Sequence, residues 1–491
     1  MKVAEIQELQ IVDLTRQGDG VGRLDGLAVF VPGALPGERV KVELTEKKKS
    51  FARAKLLEIQ EVSPARREPF CSQSKSCGGC GLGHLDYNNQ LTVKEKWVKD
   101  TLSRIGNIDE KLVESIVGME GEPYRYRNKA VMPVGRGPKG TCTVGYHQAR
   151  SHQVTDCRAC LLQTEAADLL AEGLRRYVKE SGCSVYDDKE GKGILRQLMV
   201  RTGFGTNQVM AMLHVTNKEL PDPQLLADCL VDALEETDFE LVSLVLCVNK
   251  EKGAKGLMGG QCITLAGKPV IEEELCGMYW EISPLSFYQV NPVQMEKLYA
   301  AVDEFADVQP GEVVLDLYCG AGTIGLTLHK KADHVLGIES VKPAVLDANR
   351  NATINGAWNA EFLCGKAEEV LPNMFAEQKK AAEEAAAEGA AEPAEAAKFR
   401  PELQFPSGFH APADVVILDP PRAGCEEALL EAAVQTEASR MVYVSCDPAT
   451  LARDLKYLEE HGYKVVKARP YDLFPHTLHV ECACLLVREG Q

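Results

Sequence analysis

The sequence predicts a multidomain chain in three parts, and three observations carry that prediction. Short β-rich segments broken by turn residues crowd residues 1–62, which suits a small OB-like β-barrel. Residues 63–281 are mixed in composition and hold a cluster of cysteines, which points to a central α/β domain. From 282 to 491, apolar strand-like runs alternate with helical periods, the pattern of a Rossmann-like parallel α/β sheet.

Length and composition set the bounds. At about 150 residues per domain, 491 residues make roughly two to four domains. No window approaches about 18 uninterrupted apolar residues, so no membrane span is expected. Met1 to Gln10 carries no basic region followed by an apolar run, so no secretory signal is expected either. The 72 acidic and 55 basic residues leave a net charge of −17, which argues against a protein that coats nucleic acid along its whole surface. It leaves room for a local basic track. The 17 cysteines are an odd number in a long chain, which fits a reducing cytoplasm better than a disulfide framework. Neither a membrane nor a protein partner is implied.

In the first part, Leu9 to Leu14, Gly26 to Val31, Arg39 to Leu44 and Ala54 to Gln60 read as strands, with turn signals at 18–20, Asp25-Gly26 and Pro32-Gly33. Lys47, Lys48, Lys49, Arg53 and Lys55 flank Phe51. A basic hairpin with an aromatic suits single-stranded RNA, and a solvated loop explains it equally well. In the central part, Arg125, Arg127, Lys129, Arg136, Lys139 and Arg150 face Glu122 alone, with Tyr124, Tyr126 and Tyr146 interleaved: a candidate phosphate track. In the third part, Val313 to Leu317, His334 to Ile338, Val415 to Leu418 and Met441 to Val444 read as strands. They are interrupted by an acidic Ala/Glu-rich insertion over 376–412, of which Ala376 to Lys398 reads as exposed and either helical or disordered.

The chemistry gathers at strand ends of the third part. The run from Val313 enters Gly320-x-Gly322-x-x-Gly325, where glycines let the backbone turn tightly and approach a ligand. Glu339 ends the next strand, 19 residues beyond Gly320, where a carboxylate can accept bonds from both ribose hydroxyls of an adenosine. This motif alone fits a dehydrogenase or a methyltransferase. Asp419-Pro-Pro-Arg422 forms a stiff loop that holds Asp419 at the sheet's carboxyl edge, and Ser445-Cys446-Asp447-Pro448 delivers a cysteine to that edge. A position near helix N-termini would favour the thiolate of Cys446. Leu478 to Leu486 reads as a late strand whose alternation places His479 and Glu481 on one face, with Glu481 a candidate general base. A nucleophile, a base and a nucleoside cofactor together suit methylation of C5 of uracil: a thiolate adds to C6, C5 takes a methyl group, and a base removes the C5 proton.

Ser283-Pro-Leu-Ser-Phe-Tyr-Gln-Val-Asn291, Asp316-Leu-Tyr-Cys-Gly-Ala-Gly322, Asp419-Pro-Pro-Arg422, Ser445-Cys-Asp-Pro-Ala-Thr-Leu-Ala-Arg-Asp454 and His479-Val-Glu481 resemble, in this order, the RNA uracil-5-methyltransferases over nearly the whole chain. The resemblance implies Cys446 as nucleophile, Glu481 as base, and Gln289, Tyr318, Gly320, Gly322, Glu339 and Asp419 around S-adenosyl-L-methionine. It implies that the barrel is a TRAM domain and that the third part is an S-adenosylmethionine-dependent methyltransferase domain. Two positions depart from the pattern: Asp447 stands where Asn is common, and Thr323 where some members carry Asn.

Cys71-x5-Cys77-x2-Cys80 has metal-ligand spacing, and Cys157 and Cys160 lie downstream. Four thiolates suit zinc or an iron–sulfur cluster. The resemblance implies a structural [4Fe-4S] cluster here, with Cys160 rather than Cys157 as fourth ligand after Cys71, Cys77 and Cys80. It also implies that Tyr126-Arg-Asn-Lys129 lies near the target RNA. Bacterial relatives with both barrel and cluster tend to act on 23S rRNA, those without them on tRNA, so rRNA is the expected substrate and tRNA the second.

Overall fold

The computed structural model describes residues 5–121, 123–137, 141–148, 151, 153–253, 260–387 and 401–490. The first five strands are β1 (Ile6–Leu14), β2 (Asp19–Leu24), β3 (Leu27–Pro32), β4 (Arg39–Lys47) and β5 (Phe51–Glu61). They close into a barrel in the order β1-β2-β3-β5-β4, with β4 returning to β1. Alternate side chains, among them Leu9, Ile11, Val29, Val31, Val40 and Val42, fill its core. Strand β2 was not among the expected strands. Its Gly20 and Gly22 read as turn residues, yet each sits where an added Cβ would crowd neighbouring backbone: Ala34 O at 2.6 Å from one and Gln10 O at 3.2 Å from the other. The glycines serve close packing within a strand, not a turn.

Helix α1 (Tyr87–Thr101) follows the cysteine-rich loop and is capped by Asp86, whose side chain accepts from Asn89 N. Strands β6 (Lys129–Arg136), β7 (Cys142–His147), β8 (Val154–Asp156), β9 (Leu195–Thr202), β10 (Gln208–Val215), β11 (Glu240–Val248) and β12 (Gln261–Gly267) form one sheet in the order β12-β11-β10-β9-β6-β7-β8. Helices α2 (Glu165–Ser181) and α3 (Pro223–Asp232) bury their apolar stripes against it through Leu170, Leu174, Leu226 and Leu230. A hairpin of β13 (Ile271–Leu275) and β14 (Met278–Ile282) leads on to the third part.

There, α4 (Pro292–Ala306), β15 (Val313–Leu317), α5 (Thr323–Leu328), β16 (His334–Glu339), α6 (Lys342–Ile354), β17 (Ala360–Cys364) and α7 (Ala367–Ala387) follow in turn. After a short pair, β18 (Leu403–Gln404) with β19 (His410–Ala411), come β20 (Val415–Leu418), α8 (Glu427–Gln435), β21 (Arg440–Ser445), α9 (Pro448–Glu460), β22 (Tyr463–Tyr471) and β23 (Glu481–Arg488). The sheet runs β17-β16-β15-β20-β21-β23-β22, parallel from β17 to β21, with β23 antiparallel to both neighbours. Chain order reverses between β15 and β20, so the loops after these strands flank a crevice at the carboxyl edge, the place where such sheets bind ligands. Strands β15, β16, β20 and β21 are buried on both faces over most of their length, which explains their unbroken apolar runs.

The insertion over 376–412 divides. Its start continues α7 to Ala387, and residues 388–400 lie outside the described residues. Its end is not an exposed loop: Leu403, Phe405 and Ala411 are buried in the core beneath β15 and β20. The apolar residues were there to be read, but the Ala/Glu composition around them masked the return to the core. None of the described helices is long and apolar enough to cross a membrane.

Candidate active site

The glycine loop is built as the sequence requires. Gly320 and Gly322 adopt φ values of +58° and +79°. A Cβ on Gly322 would meet the Phe362 ring at 2.8 Å, and one on Gly325 would meet the Asp316 carboxylate at 2.8 Å. The carboxylate of Asp316 accepts from Gly325 N at 2.8 Å and so ties the strand end to the helix that follows. Its second oxygen has no hydrogen-bond partner among the described residues, and burial pushes the group up to about 7. Glu339 braces the same loop, accepting from Gly320 N at 3.2 Å with one oxygen and from Val341 N at 2.7 Å with the other. Tyr318 is held at φ +62°, an uncommon conformation for a side-chain-bearing residue. Gln289 is buried, and its carbonyl accepts from Asn128 Nδ2 at 2.9 Å. Tyr318, Gly320 and Gly322 lie in the loop after β15, and Glu339 ends β16 beside it.

On the other side of the crevice between β15 and β20 lie the Asp419 loop, the Cys446 loop and the start of β23. Cys446 follows directly on β21 and precedes α9, whose cap is Asp447 accepting from Ala449 N at 2.8 Å. Burial pushes the Cys446 thiol up to about 12; the nearby Glu481 carboxylate adds to this and the Arg422 guanidinium opposes it. At the N-terminus of α9 the expected favouring of the thiolate is thus met by burial, which raises the thiol. Burial likewise raises Glu481 to about 8 and Asp419 to about 7.

One expected alignment fails. Strand β23 begins at Glu481, so His479 belongs to the lead-in segment rather than to a shared strand face. It lies beside Arg422 instead, with Arg422 Nη2 at 3.3 and 3.4 Å from its ring nitrogens, and burial and that guanidinium lower it to about 4. Arg422, Phe287 and Arg16 were not singled out from sequence. Arg422 stood in the Asp-Pro-Pro-Arg motif, and Phe287 stood two residues before Gln289; Phe287 is 60% exposed beside Gly320. Nothing local marked Arg16.

Of the predicted phosphate track, two cations are paired within the fold and a third is buried. Arg125 pairs with Asp168 at 2.5 Å and donates to the carbonyls of Cys160 and Gln163. Arg136 pairs with Glu190 at 3.2 Å, and burial lowers Lys129 to about 8. Lys139, Arg150 and Glu122 lie outside the described residues. Arg127 makes no ion pair among the described residues and lies 5.8 Å from the Phe474 ring centroid. The Tyr126–Lys129 segment joins two active-site loops, through Tyr126 Oη to Pro475 O at 3.0 Å and Asn128 to Gln289. In the barrel, Lys48 and Arg53 stack 5.1 and 5.9 Å from Phe51 but also pair with Glu46.

The cysteine loop folds back on β7, with Cys77 bridged to Gln148, so that it approaches the turn after β8. Cys77 and Cys80 are raised by burial and by the thiols of Cys160 and Cys71, Cys80 to about 12. Cys157 and Cys160 share a hydrogen bond: donation from Cys157 lowers Cys160 and raises Cys157. Among the described residues, no three His, Cys, Asp or Glu side chains gather tightly enough for a single metal ion.

Comparison with known proteins places this geometry. The TRAM domain profile matches residues 2–57, a methyltransferase domain profile matches 309–381, and the tRNA (uracil-5-)-methyltransferase profile matches 409–489. A Clostridium tetani protein described as an uncharacterized RNA methyltransferase is 40% identical over 482 residues, covering 98% of this chain and 96% of its own. One so described from Caldanaerobacter subterraneus subsp. tengcongensis is 40% identical over 488 residues, 99% of each chain. The solved structure of Pyrococcus abyssi tRNA (uracil-54, C5)-methyltransferase with S-adenosyl-L-homocysteine superposes with a TM-score of 0.73 at 29% identity, covering 98% of this chain and 99% of that one. With a closed N-terminal TRAM barrel, a methyltransferase sheet and relatives matched end to end, the chain belongs to the S-adenosylmethionine-dependent RNA uracil-5-methyltransferase family.

Proposed function

We propose that this enzyme methylates C5 of a uridine in 23S rRNA through a covalent bond between Cys446 and C6 of the base. The observation that carries the covalent route is the meeting of Cys446, Glu481 and Arg422 at the carboxyl edge of the sheet, across the crevice from the glycine loop. Gln289, Tyr318, Gly320, Gly322, Glu339 and Asp419 would hold S-adenosylmethionine, which supplies an electrophilic methyl group. The loop fits a nucleoside: its glycines leave the backbone open, Glu339 keeps acceptor capacity, and a buried Asp316 oxygen awaits a partner.

Cys446 is held as a thiol by burial, so its proton passes to solvent as the sulfur bonds to C6, with Arg422 favouring the thiolate, and the thiolate released at the end recovers a proton from solvent. The electron pair displaced from the C5–C6 double bond makes C5 nucleophilic. After methylation, Glu481 takes the C5 proton, the double bond re-forms, and the C6–sulfur bond breaks. A carboxyl raised to about 8 is matched to accepting a proton near neutral pH. The target base must leave its stack to reach a cysteine at the floor of a crevice.

A [4Fe-4S] cluster held by Cys71, Cys77, Cys80 and Cys160 belongs to the same proposal. The donor set suits it: four thiols in mutual electrostatic reach, set too widely for one ion, while a cluster brings its own sulfides. The reaction transfers no electrons, so its place is structural. Seventeen free cysteines suit a reducing cytoplasm. The second reading of the substrate is tRNA, favoured by the full-length likeness to an archaeal tRNA enzyme that the barrel does not discriminate against.

The test incubates the enzyme with radiolabelled S-adenosylmethionine and either unmodified 23S rRNA or bulk tRNA, then identifies the labelled nucleoside. Label in 5-methyluridine from rRNA is expected; label from tRNA alone overturns the substrate. Cys446→Ala should bind S-adenosylhomocysteine normally and transfer no methyl group. Glu481→Gln should trap an enzyme–RNA adduct that survives a denaturing gel, and its absence would point to another base.

A further inference from the structure

The barrel reaches into the active site from the far end of the chain. The turn between β1 and β2, residues 15–18, lies against both catalytic loops. Arg16 Nη2 pairs with Asp447 Oδ1 at 3.0 Å, and Asp447 is both the neighbour of Cys446 and the cap of α9. Two residues on, Gly18 faces Leu478, three residues ahead of Glu481: an added Cβ would lie 3.0 Å from Leu478 Cδ2. From the other side Gly81, next to Cys80, meets the same side chain, with a Cβ there only 2.6 Å from Leu478 Cγ. Leu82 N donates to His476 O at 2.9 Å and completes the grip on the segment. The barrel is itself anchored, through Trp97 Nε1 to Leu14 O at 2.8 Å and Lys96 to Asp13 at 2.6 Å.

We propose that the β1–β2 turn of the TRAM barrel is a positioning element of the active site: Arg16 holds the Cys446 loop through Asp447, and Gly18 seats Leu478 and so the approach to Glu481. This rests on the assignment of Cys446 and Glu481 above. The barrel then sets geometry as well as presenting a surface to RNA. The position calls for it. Cys446 lies in a loop one residue past its strand, and the sulfur must approach one carbon of an extruded base, where displacement by about 1 Å can cost about a hundredfold in rate.

The experiment measures single-turnover methyl transfer at saturating RNA, using the RNA that the wild-type enzyme labels, together with binding of that RNA and of S-adenosylhomocysteine. Arg16→Met should slow transfer on the order of tenfold with both binding constants unchanged, and Arg16→Lys should restore most of the rate. In an Asp447→Asn background the same Arg16→Met change should cost much less, since the partner charge is gone. Weaker RNA binding with an unchanged saturated rate would make Arg16 a phosphate contact and overturn the proposal. So would equal costs in the two backgrounds, or no effect on any of the three. Cys446→Ala is measured alongside: retained transfer there would sink the nucleophile assignment itself, whatever Arg16 does.

Discussion

Glu481 is buried at 3% exposure without a cation bonded to it, so its charge is costly to the fold. Its folded pKa of about 8 lies above its ordinary value of 4.5. The folded state therefore binds the proton more tightly than the unfolded state, and the benefit is full below about pH 4.5 and is lost as pH rises through 8. Glu481→Gln, neutral at every pH, should match the wild type at pH 5 and exceed it in stability at pH 8.5 by about 1–3 kcal/mol in urea unfolding. An equal difference at both pH values would mean that the carboxyl is not desolvated. Burial of this kind could not be read from Leu478 to Leu486, where alternation suggested only a face. The residue types of the site were legible; the protonation of Cys446 and Glu481 was not, because it depends on what the fold packs around them.

At the scale of elements, α1 carries more than its sequence suggests. Lys94 is fully buried on it and pairs with Asp472 at 2.6 Å while donating to Phe474 O at 3.0 Å. Gln90, one turn earlier, donates to Leu82 O and Leu85 O and accepts from His476 N. The helix thus bolts the 472–480 segment, which leads to Glu481, to the cysteine loop. Removing one partner of a buried pair leaves a charge unpaired, so Lys94→Met should destabilise the protein by about 3–5 kcal/mol. Asp472→Asn combined with Lys94→Met should recover part of that loss, which calorimetry would read. Gly322 is a second such point: Gly322→Ala meets a strained φ of +79° and the Phe362 ring together, so binding of S-adenosylhomocysteine should fall at least tenfold by titration calorimetry. Strands β15, β16, β20 and β21 of the catalytic sheet were legible because both faces are buried and the runs are apolar; β17 and β22, which carry charged residues, were not read. Strand β2 was not, because its glycines answer to neighbours that only the closed barrel supplies.

For the whole molecule, the barrel, the cysteine loop and the methyltransferase sheet meet at one place, the segment ahead of Glu481. A cluster on Cys160 would therefore be felt at the active site through Gly81 and Leu478 without taking part in the reaction. Cys160→Ser should lower iron content per chain and slow methyl transfer; if Cys157→Ser lowers iron and Cys160→Ser does not, the ligand set contains Cys157. Net charge bears on RNA in a similar way. An acidic chain in which Arg125 and Arg136 are engaged by carboxylates should neutralise few phosphates, so its RNA affinity should fall with salt less steeply than six free cations would require. A slope of about −4 or steeper on single-stranded RNA would show a track that the internal pairs do not use up.

What the sequence determined by itself was whatever depends on neighbours in the chain. It specified the glycine loop, the apolar runs of a buried parallel sheet, the stiff Asp-Pro-Pro loop and the cysteine spacing, because each is a constraint on a few consecutive residues. The tertiary structure decided what depends on distance in space. It paired Arg125 with Asp168 and Arg136 with Glu190, and so engaged two cations of a track that looked free. It carried Arg16 across 431 positions to Asp447. It buried Cys446 so that its sulfur rests as a thiol. Charge and proton affinity follow the surrounding dielectric and the nearest counter-charge, and in a folded chain those are set by residues that the sequence keeps far apart.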